Sequence, residues 1–401
     1  MRKKTITLAA LAVTAGSALG EEQEPDAFLG LTPTLDIRTR YEFREVDGLD
    51  ASHSVTTRAR VGLKTGEYAG FSAFGELEGT YALVDDFTTG GANTPNNPGA
   101  TPINDPEVIE LNRAWVQYKN EGFLARLGRQ RIIRNGAAFI GNVGWRQNEQ
   151  TFDAINLEYS GNGFTASYVY SNGAQRIFGA DAGGPLEEFS GDFHFIDGSY
   201  SFDGGKVGGY AYIIDVDNSP AVGRSNTFGL FYEGNGLYLE GAWQDGTTTV
   251  GGVGDFDAFY GHAYYKKKIG SATYGIGLEY LEENFRTPFA TVHKFNGFAD
   301  AFIGQRLGLN NAGGAFEGIS DIYVSYVRPG LPWDVTFKGF AHYYLDDGFS
   351  DAYGYEVDAV LVKKFGDNVT ALLKAAFFFE DDGPGAFQDI QQVTLDLTYK
   401  F

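Results

Sequence analysis

The chain alternates. At its end Val393, Leu395, Leu397, Tyr399 and Phe401 occupy one parity, and Thr394, Asp396, Thr398 and Lys400 the other. Successive strand residues point to opposite faces, so this is one apolar and one polar face of a single strand. The same period recurs at 367–380, where Val369, Ala371, Leu373, Ala375, Phe377 and Phe379 oppose Thr370, Lys374 and Glu380. It recurs at 54–65, where Val55, Ala59, Val61 and Leu63 oppose Thr56, Arg58, Arg60 and Lys64. About 18 such segments can be marked between 34–46 and 389–401. Most reach the ~9–11 residues that cross a bilayer at a tilt. The predicted fold class is all-β, a transmembrane antiparallel β-barrel of about 18 strands.

The connections sort by parity. Every even-to-odd link is short, as at Asn120-Glu121, Gly161-Asn162, Gly234-Asn235 and Gly366, and Gly and Asn tolerate the positive φ of tight hairpins. The long links, 83–106, 132–149, 173–190 and 283–318, all run from odd to even strands. Membrane barrels have short periplasmic turns and long outer loops, which would put both termini on the periplasmic side.

Composition adds an address. Met1-Arg2-Lys3-Lys4 precedes a small, apolar stretch that ends near Ala18 and Gly20, the pattern of a cleaved signal peptide over 1–20. The barrel would then be one domain over 21–401, in a bacterial outer membrane. Loss of Arg2, Lys3 and Lys4 would move the net charge from -21 to -24, so nucleic acid is not an expected partner. There is no Cys, so disulfides contribute nothing. The expected surroundings are outer-membrane lipid and lipopolysaccharide, with Phe401 the terminal residue the barrel-assembly machinery would engage.

Candidate chemistry sits on the polar parity. Arg38, Arg40 and Arg44 share it on the first strand, and Arg58, Arg60 and Lys64 on the second, with Arg113 and Arg126 extending the row. Arginine binds carboxylates bidentately, so the row could be a track for an anionic solute. Asp36, Glu42, Glu76 and Glu78 lie nearby, and an internal salt-bridge wall is the alternative. Glu279, Glu356, Asp358 and Asp396 would supply acid elsewhere in the lumen. Trp115, Tyr260, Tyr264, Phe340 and Tyr344 also face inward, either to stack on sugar rings or to pack beneath an inward loop. The long loops are acidic, at Asp85, Asp86, Asp105, Asp181, Asp346, Asp347, Asp381 and Asp382 among others. No cofactor is expected beyond Ca²⁺ or Mg²⁺ at such a rim. Nucleophile-elbow, zinc-protease and phosphate-loop motifs are missing, and the five His are scattered, so no enzyme is expected.

Two loop segments break the alternation in a specific way, Gly128-Arg129-Gln130-Arg131-Ile132 with Gly144-Trp145-Arg146-Gln147-Asn148 and Thr151-Phe152-Asp153, and Thr291-Val292-His293-Lys294-Phe295-Asn296-Gly297-Phe298-Ala299-Asp300; beside them stands the strand segment Leu111-Asn112-Arg113-Ala114-Trp115-Val116-Gln117-Tyr118. Together they resemble the alginate-export family of outer-membrane porins. The resemblance implies a monomeric 18-stranded barrel with a cationic lumen passing an anionic uronate polysaccharide. It places Arg129, Arg131 and Arg146 at or near a constriction. It assigns His293, Lys294, Asn296 and Asp300 to a long outer loop that folds inward. The acidic rim and mixed lumenal charge depart from that pattern, and leave open a general small-solute porin or a non-conducting structural or adhesin barrel.

Overall fold

A computed structural model describes residues 30–90, 94–249, 253–307, 318–381 and 387–401. The expected signal segment and Asp382 lie outside the described residues. Eighteen antiparallel strands form one sheet: β1 Thr32–Val46, β2 Ser52–Lys64, β3 Phe71–Asp86, β4 Val108–Asn120, β5 Phe123–Gln130, β6 Thr151–Gly161, β7 Phe164–Gln175, β8 Glu188–Phe202, β9 Gly205–Val216, β10 Arg224–Gly234, β11 Leu237–Thr248, β12 Gly254–Ile269, β13 Ala272–Leu281, β14 Ile319–Leu331, β15 Val335–Leu345, β16 Ala352–Phe365, β17 Val369–Glu380 and β18 Ile390–Lys400. Each pairs with its sequence neighbours, and β1 pairs with both β2 and β18, so the sheet closes and leaves no edge. Closure satisfies the backbone groups that an apolar surrounding could not.

Outward positions form the apolar belt that the alternation predicts. Ile109 is 82% exposed and Leu230 73%. No helix among the described residues is long and apolar enough to cross a membrane. Short links gather at one end of the barrel, where Thr32 and Lys400 lie, and long links at the other. These are called here the short-turn end and the long-loop end.

The lumen departs from the polar interior that the alternation suggests. Phe152, Phe193, Phe195, Tyr212, Tyr260, Tyr344 and Phe378 point inward from β6, β8, β9, β12, β15 and β17, and all are buried in one cluster. What covers them comes from two long loops: Phe139 and Ile140 from loop 131–150, and Phe285, Phe289 and Phe302 from segment 282–307. Phe289 alone meets Phe152, Phe189, Phe193 and Phe195 at ring-centroid distances of 4.8–6.1 Å. An 18-strand barrel is wider than its own side chains can fill, and here the loops fill it.

The belt makes a direct prediction. Leu230→Arg should lower the stability of the barrel refolded in phospholipid vesicles by about 2–4 kcal/mol if Leu230 sits near the bilayer midplane. Urea titration reads this, and a loss below about 0.5 kcal/mol would contradict the assigned face.

Candidate functional site

The basic row on β1 and β2 forms as the pattern requires, and its register sets Arg38 opposite Arg58, and Asp36 opposite Arg60. Such crowding of like charge requires counter-charges. Arg40 clasps Asp396 of β18 at 2.7 and 2.8 Å and lies 3.6 Å from Asp105 and 3.8 Å from Glu42. Arg58 pairs with Asp36, and Arg60 with Glu78 and Glu149. Arg44 donates to the carbonyl of Ala299 at 2.9 Å. Arg38 has no carboxylate partner among the described residues. Its guanidinium donates to Gln147 Oε1 at 2.9 Å and to the carbonyls of Gly144 and Arg146. Thus β1 and β2 carry a buried ion-pair wall into which loop 131–150 is sewn. Asp105, expected at a solvated rim, is fully buried in it because Arg40, Arg146 and the Gln147 amide converge on its carboxylate.

The next strands are less enclosed. A β-bulge in β4 leaves Asn112 outside the β3 register, between Glu76↔Arg113 and Leu77↔Leu111. Asn112 and Arg113 consequently both reach Glu76, at 2.8 Å and at 2.7–2.8 Å. Arg126 lies 4.3 Å over the Trp115 ring and donates to Gln117, without a carboxylate partner among the described residues. Arg131 pairs with Glu149 while its side chain stays 30% exposed, against 2% for Arg40. Arg129 belongs elsewhere. It is three residues from Arg126, so alternation sets it in the outward row of Leu127, where it clasps Asp153 at 2.8 and 2.9 Å. The constriction position that the resemblance gave Arg129 is therefore not where its side chain lies.

The segments that broke the alternation meet in the lumen. Trp145 stacks on His293 with centroids 3.4 Å apart and planes 13° apart. Arg146 lies 3.8 Å and Lys374 4.6 Å from the Trp145 ring, so cations crowd the same π-system. His293 Nδ1 is 3.0 Å from Asp300, and Nε2 accepts from Lys374. Arg146 also pairs with Glu42 at 3.1 Å. Backbone bonds join the loops beside this stack, from the Gly141 amide to the Phe289 carbonyl at 2.8 Å and from the Thr291 amide to the Ala137 carbonyl at 3.0 Å. Lys294 donates to the Gly136 carbonyl, and Asn296 to Glu279 and Asp321. Neither Trp145 nor Lys374 was singled out as a site residue from the sequence. The signal available for this docking was the density of Phe in segments that otherwise read as loop.

Electrostatics follow from this enclosure. Burial, aided by Lys374 and Arg146, pushes the His293 imidazole down to about 3. Burial alone would raise Asp300, but His293, Arg44 and Arg146 outweigh it and hold the carboxyl below its usual range. Burial also opposes ionisation of Glu149, yet Arg60, Arg131 and Asn112 bring it down to about 2.

Beneath the loops, toward the short-turn end, the lumen opens. One cavity of about 520 Å³ is lined by Arg38, Arg58, Arg60, Arg113, Arg131 and Lys400 against Asp36, Glu76 and Glu149, a side-chain excess of three positive charges. A second, of about 530 Å³, lies under segment 282–307 and residues 135–138 of loop 131–150, against β9–β15. Of the inward aromatics, Tyr260 and Tyr344 are buried in packing, whereas Tyr264 and Phe340 face this second cavity. Among the described residues no cluster of three or more His, Cys, Asp or Glu could hold a metal ion. Asp346 is taken up by its own turn, accepting from the Ser350 amide and hydroxyl at 2.7 Å.

Comparison with known proteins agrees with this architecture. The family model described as "Alginate export" matches residues 31–171. No curated protein matches the sequence. Among solved structures, Acinetobacter baumannii OccAB4 is 14% identical, with 94% of this chain and 99% of that chain covered and a TM-score of 0.68. Pseudomonas aeruginosa OpdO is also 14% identical, covering 94% and 98%, with a TM-score of 0.64. Pseudomonas aeruginosa OccK2 (OpdF), solved in complex with glucuronate, is 13% identical, covering 94% and 99%, with a TM-score of 0.63. At these identities the structural matches speak for the fold alone, the closed 18-strand barrel.

The buried His293 makes loop docking sensitive to acid. A docked imidazole near 3 and a free one near 6.5 mean that docking is fully stable above pH 6.5 and weakens as pH falls toward 3, by up to about 1.4 kcal/mol per unit. Hydrogen exchange in 285–306, corrected for intrinsic rates, should accelerate between pH 7 and 4.5, and His293→Gln should flatten that dependence. Equal protection across that range in the native chain would contradict the neutral, buried imidazole.

Proposed function

Taking the chain as a bacterial outer-membrane barrel of the alginate-export type, we propose that it passively conducts small anionic solutes of the uronate class. The observation that carries this reading is the basic cavity at the short-turn end. Its six cationic side chains exceed its three carboxylates, and the ion-pair wall behind it holds the guanidinium groups in place. Rigid, partly desolvated charge of one sign concentrates counter-ions and sets selectivity without any covalent step. The glucuronate bound to OccK2 supports the same ligand chemistry. The inward loops favour small solutes over a polymer, since they occupy the centre of the lumen. In this reading the short turns face the periplasm, and the barrel acts as a monomer.

Single-channel conductance in a planar bilayer under a salt gradient tests the reading. The expected result is anion preference and current block by glucuronate or short uronate oligomers. Arg131→Gln with Lys400→Gln cuts the cavity's excess from three charges to one, and should weaken block by about tenfold. Cation preference, or current indifferent to uronates, would overturn it in favour of a barrel whose basic wall is structural.

A further inference from the structure

Half-way round the barrel from β4, nine strands away, β13 carries glycine at lumenal positions 275 and 277. These glycines make room for rings. A Cβ on Gly277 would lie 2.3 Å from the Tyr323 ring, and one on Gly275 would lie 2.3 Å from the Tyr264 hydroxyl. Tyr264 of β12 and Tyr323 of β14 both pair directly with Gly277. Their rings therefore fold over the strand between them, 5.7 Å apart with planes 20° from parallel. His342 stacks beyond Tyr323 at 5.4 Å, and Phe340 lies beyond His342 at 6.4 Å and 30°.

The edges of this aromatic pavement are tied down. The Tyr323 hydroxyl is 2.7 Å from His262 Nε2, and the Tyr264 hydroxyl is 3.0 Å from Ser325 Oγ. All four rings line the cavity of about 530 Å³ and are only partly buried. Its charged groups nearly balance, with Glu233, Glu240, Glu279 and Asp321 against Lys206, Lys266 and Lys294. Among the described residues no arginine lines it, so it lacks the basic cavity's means of holding an anion.

We propose that this pavement is a binding subsite for an uncharged pyranose, distinct from the basic wall. A pyranose has an apolar face of C–H groups and a rim of hydroxyls. The ring faces accept the first, and the carboxylates, amides and amines around them accept and donate to the second. An anion would meet four carboxylates here, and an aromatic hydrocarbon would leave the polar perimeter unpaired. The volume suits a small ligand of one to a few sugar units.

The test is equilibrium binding, so it stands whether or not the barrel conducts anions. Saturation-transfer difference NMR on the full chain in detergent, with maltotriose as probe, should show transfer to the pyranose C–H protons. Tyr264→Ala and Tyr323→Ala should each weaken maltotriose binding by about tenfold, while Tyr323→Phe keeps it. Heat-modifiable gel mobility identifies folded variants. Phe340→Ala, at the margin of the pavement, gives a second reading and should weaken binding severalfold. No transfer to the native chain would overturn the proposal. So would affinity unchanged in folded Tyr323→Ala or Phe340→Ala, or affinity lost in the Arg131→Gln and Lys400→Gln double variant, which would put the sugar on the basic wall.

Discussion

A ring of 18 strands encloses more space than its inward side chains can occupy, and that excess governs the rest of the molecule. Water would fill it if the inward face were polar throughout. Instead β6, β8, β9, β12, β15 and β17 turn Phe and Tyr inward, and these can leave water only if something covers them. Loop 131–150 and segment 282–307 supply the cover, with Phe139, Phe285, Phe289 and Phe302 as anchors. Each fully buried Phe contributes roughly 1.5–3 kcal/mol of apolar burial toward holding the loops in place.

Once docked, the loops must satisfy the charges they cover. Arg40, Glu42, Asp105, Arg146 and Asp396 form one buried network because none can stay solvated under loop 131–150. Removing one member strands the others, at a cost of about 3–5 kcal/mol for a buried pair. Trp145 bridges this polar network to the second loop, with His293 on its face and Arg146 and Lys374 close to the same ring. A smaller cavity of about 270 Å³ is lined by Arg134, Glu158 and Asp197, and the basic and aromatic cavities lie in the part of the lumen left open beneath this plug. Their difference in character follows from the strands behind them: arginines on β1, β2 and β4 for one, and rings folded over glycines of β13 for the other.

The barrel was legible in the sequence because its signal is local. Alternation at 367–380 and 389–401 is written in adjacent residues, and the parity of loop lengths needs only the order of turns. Strand ends moved by a few residues where glycine and proline blurred them: β8 begins at Glu188, inside the expected link 173–190, after Gly183-Gly184-Pro185. The site was less legible because it depends on contacts over 100 residues or more, such as Arg38 with Gln147. Alternation assigned Arg38, Arg40, Arg58 and Arg60 to the lumen but could not say that two loops would bury them. The bulge that turns both Asn112 and Arg113 to Glu76 interrupts the very period used to read faces. Gly275 and Gly277 read as weak strand positions, and only Tyr264 and Tyr323 on the flanking strands give them a role.

The central claim is that loop 131–150 and segment 282–307 dock on each other inside the barrel. Because the chain has no cysteine, a single engineered pair tests this without background. A Cβ at Gly141 would lie 3.1 Å from the Thr291 Cβ and 2.7 Å from the Ala137 Cβ, so the loop must give by several tenths of an ångström to reach the usual disulfide separation. Gly141→Cys with Thr291→Cys, in barrels kept in their native outer membrane, should cross-link nearly completely under mild oxidation, as read by mass spectrometry of the closed peptide pair. Two thiols that stay reduced and react freely with a water-soluble maleimide would mean that the loops stand apart in an open lumen, and the plugged barrel would be wrong.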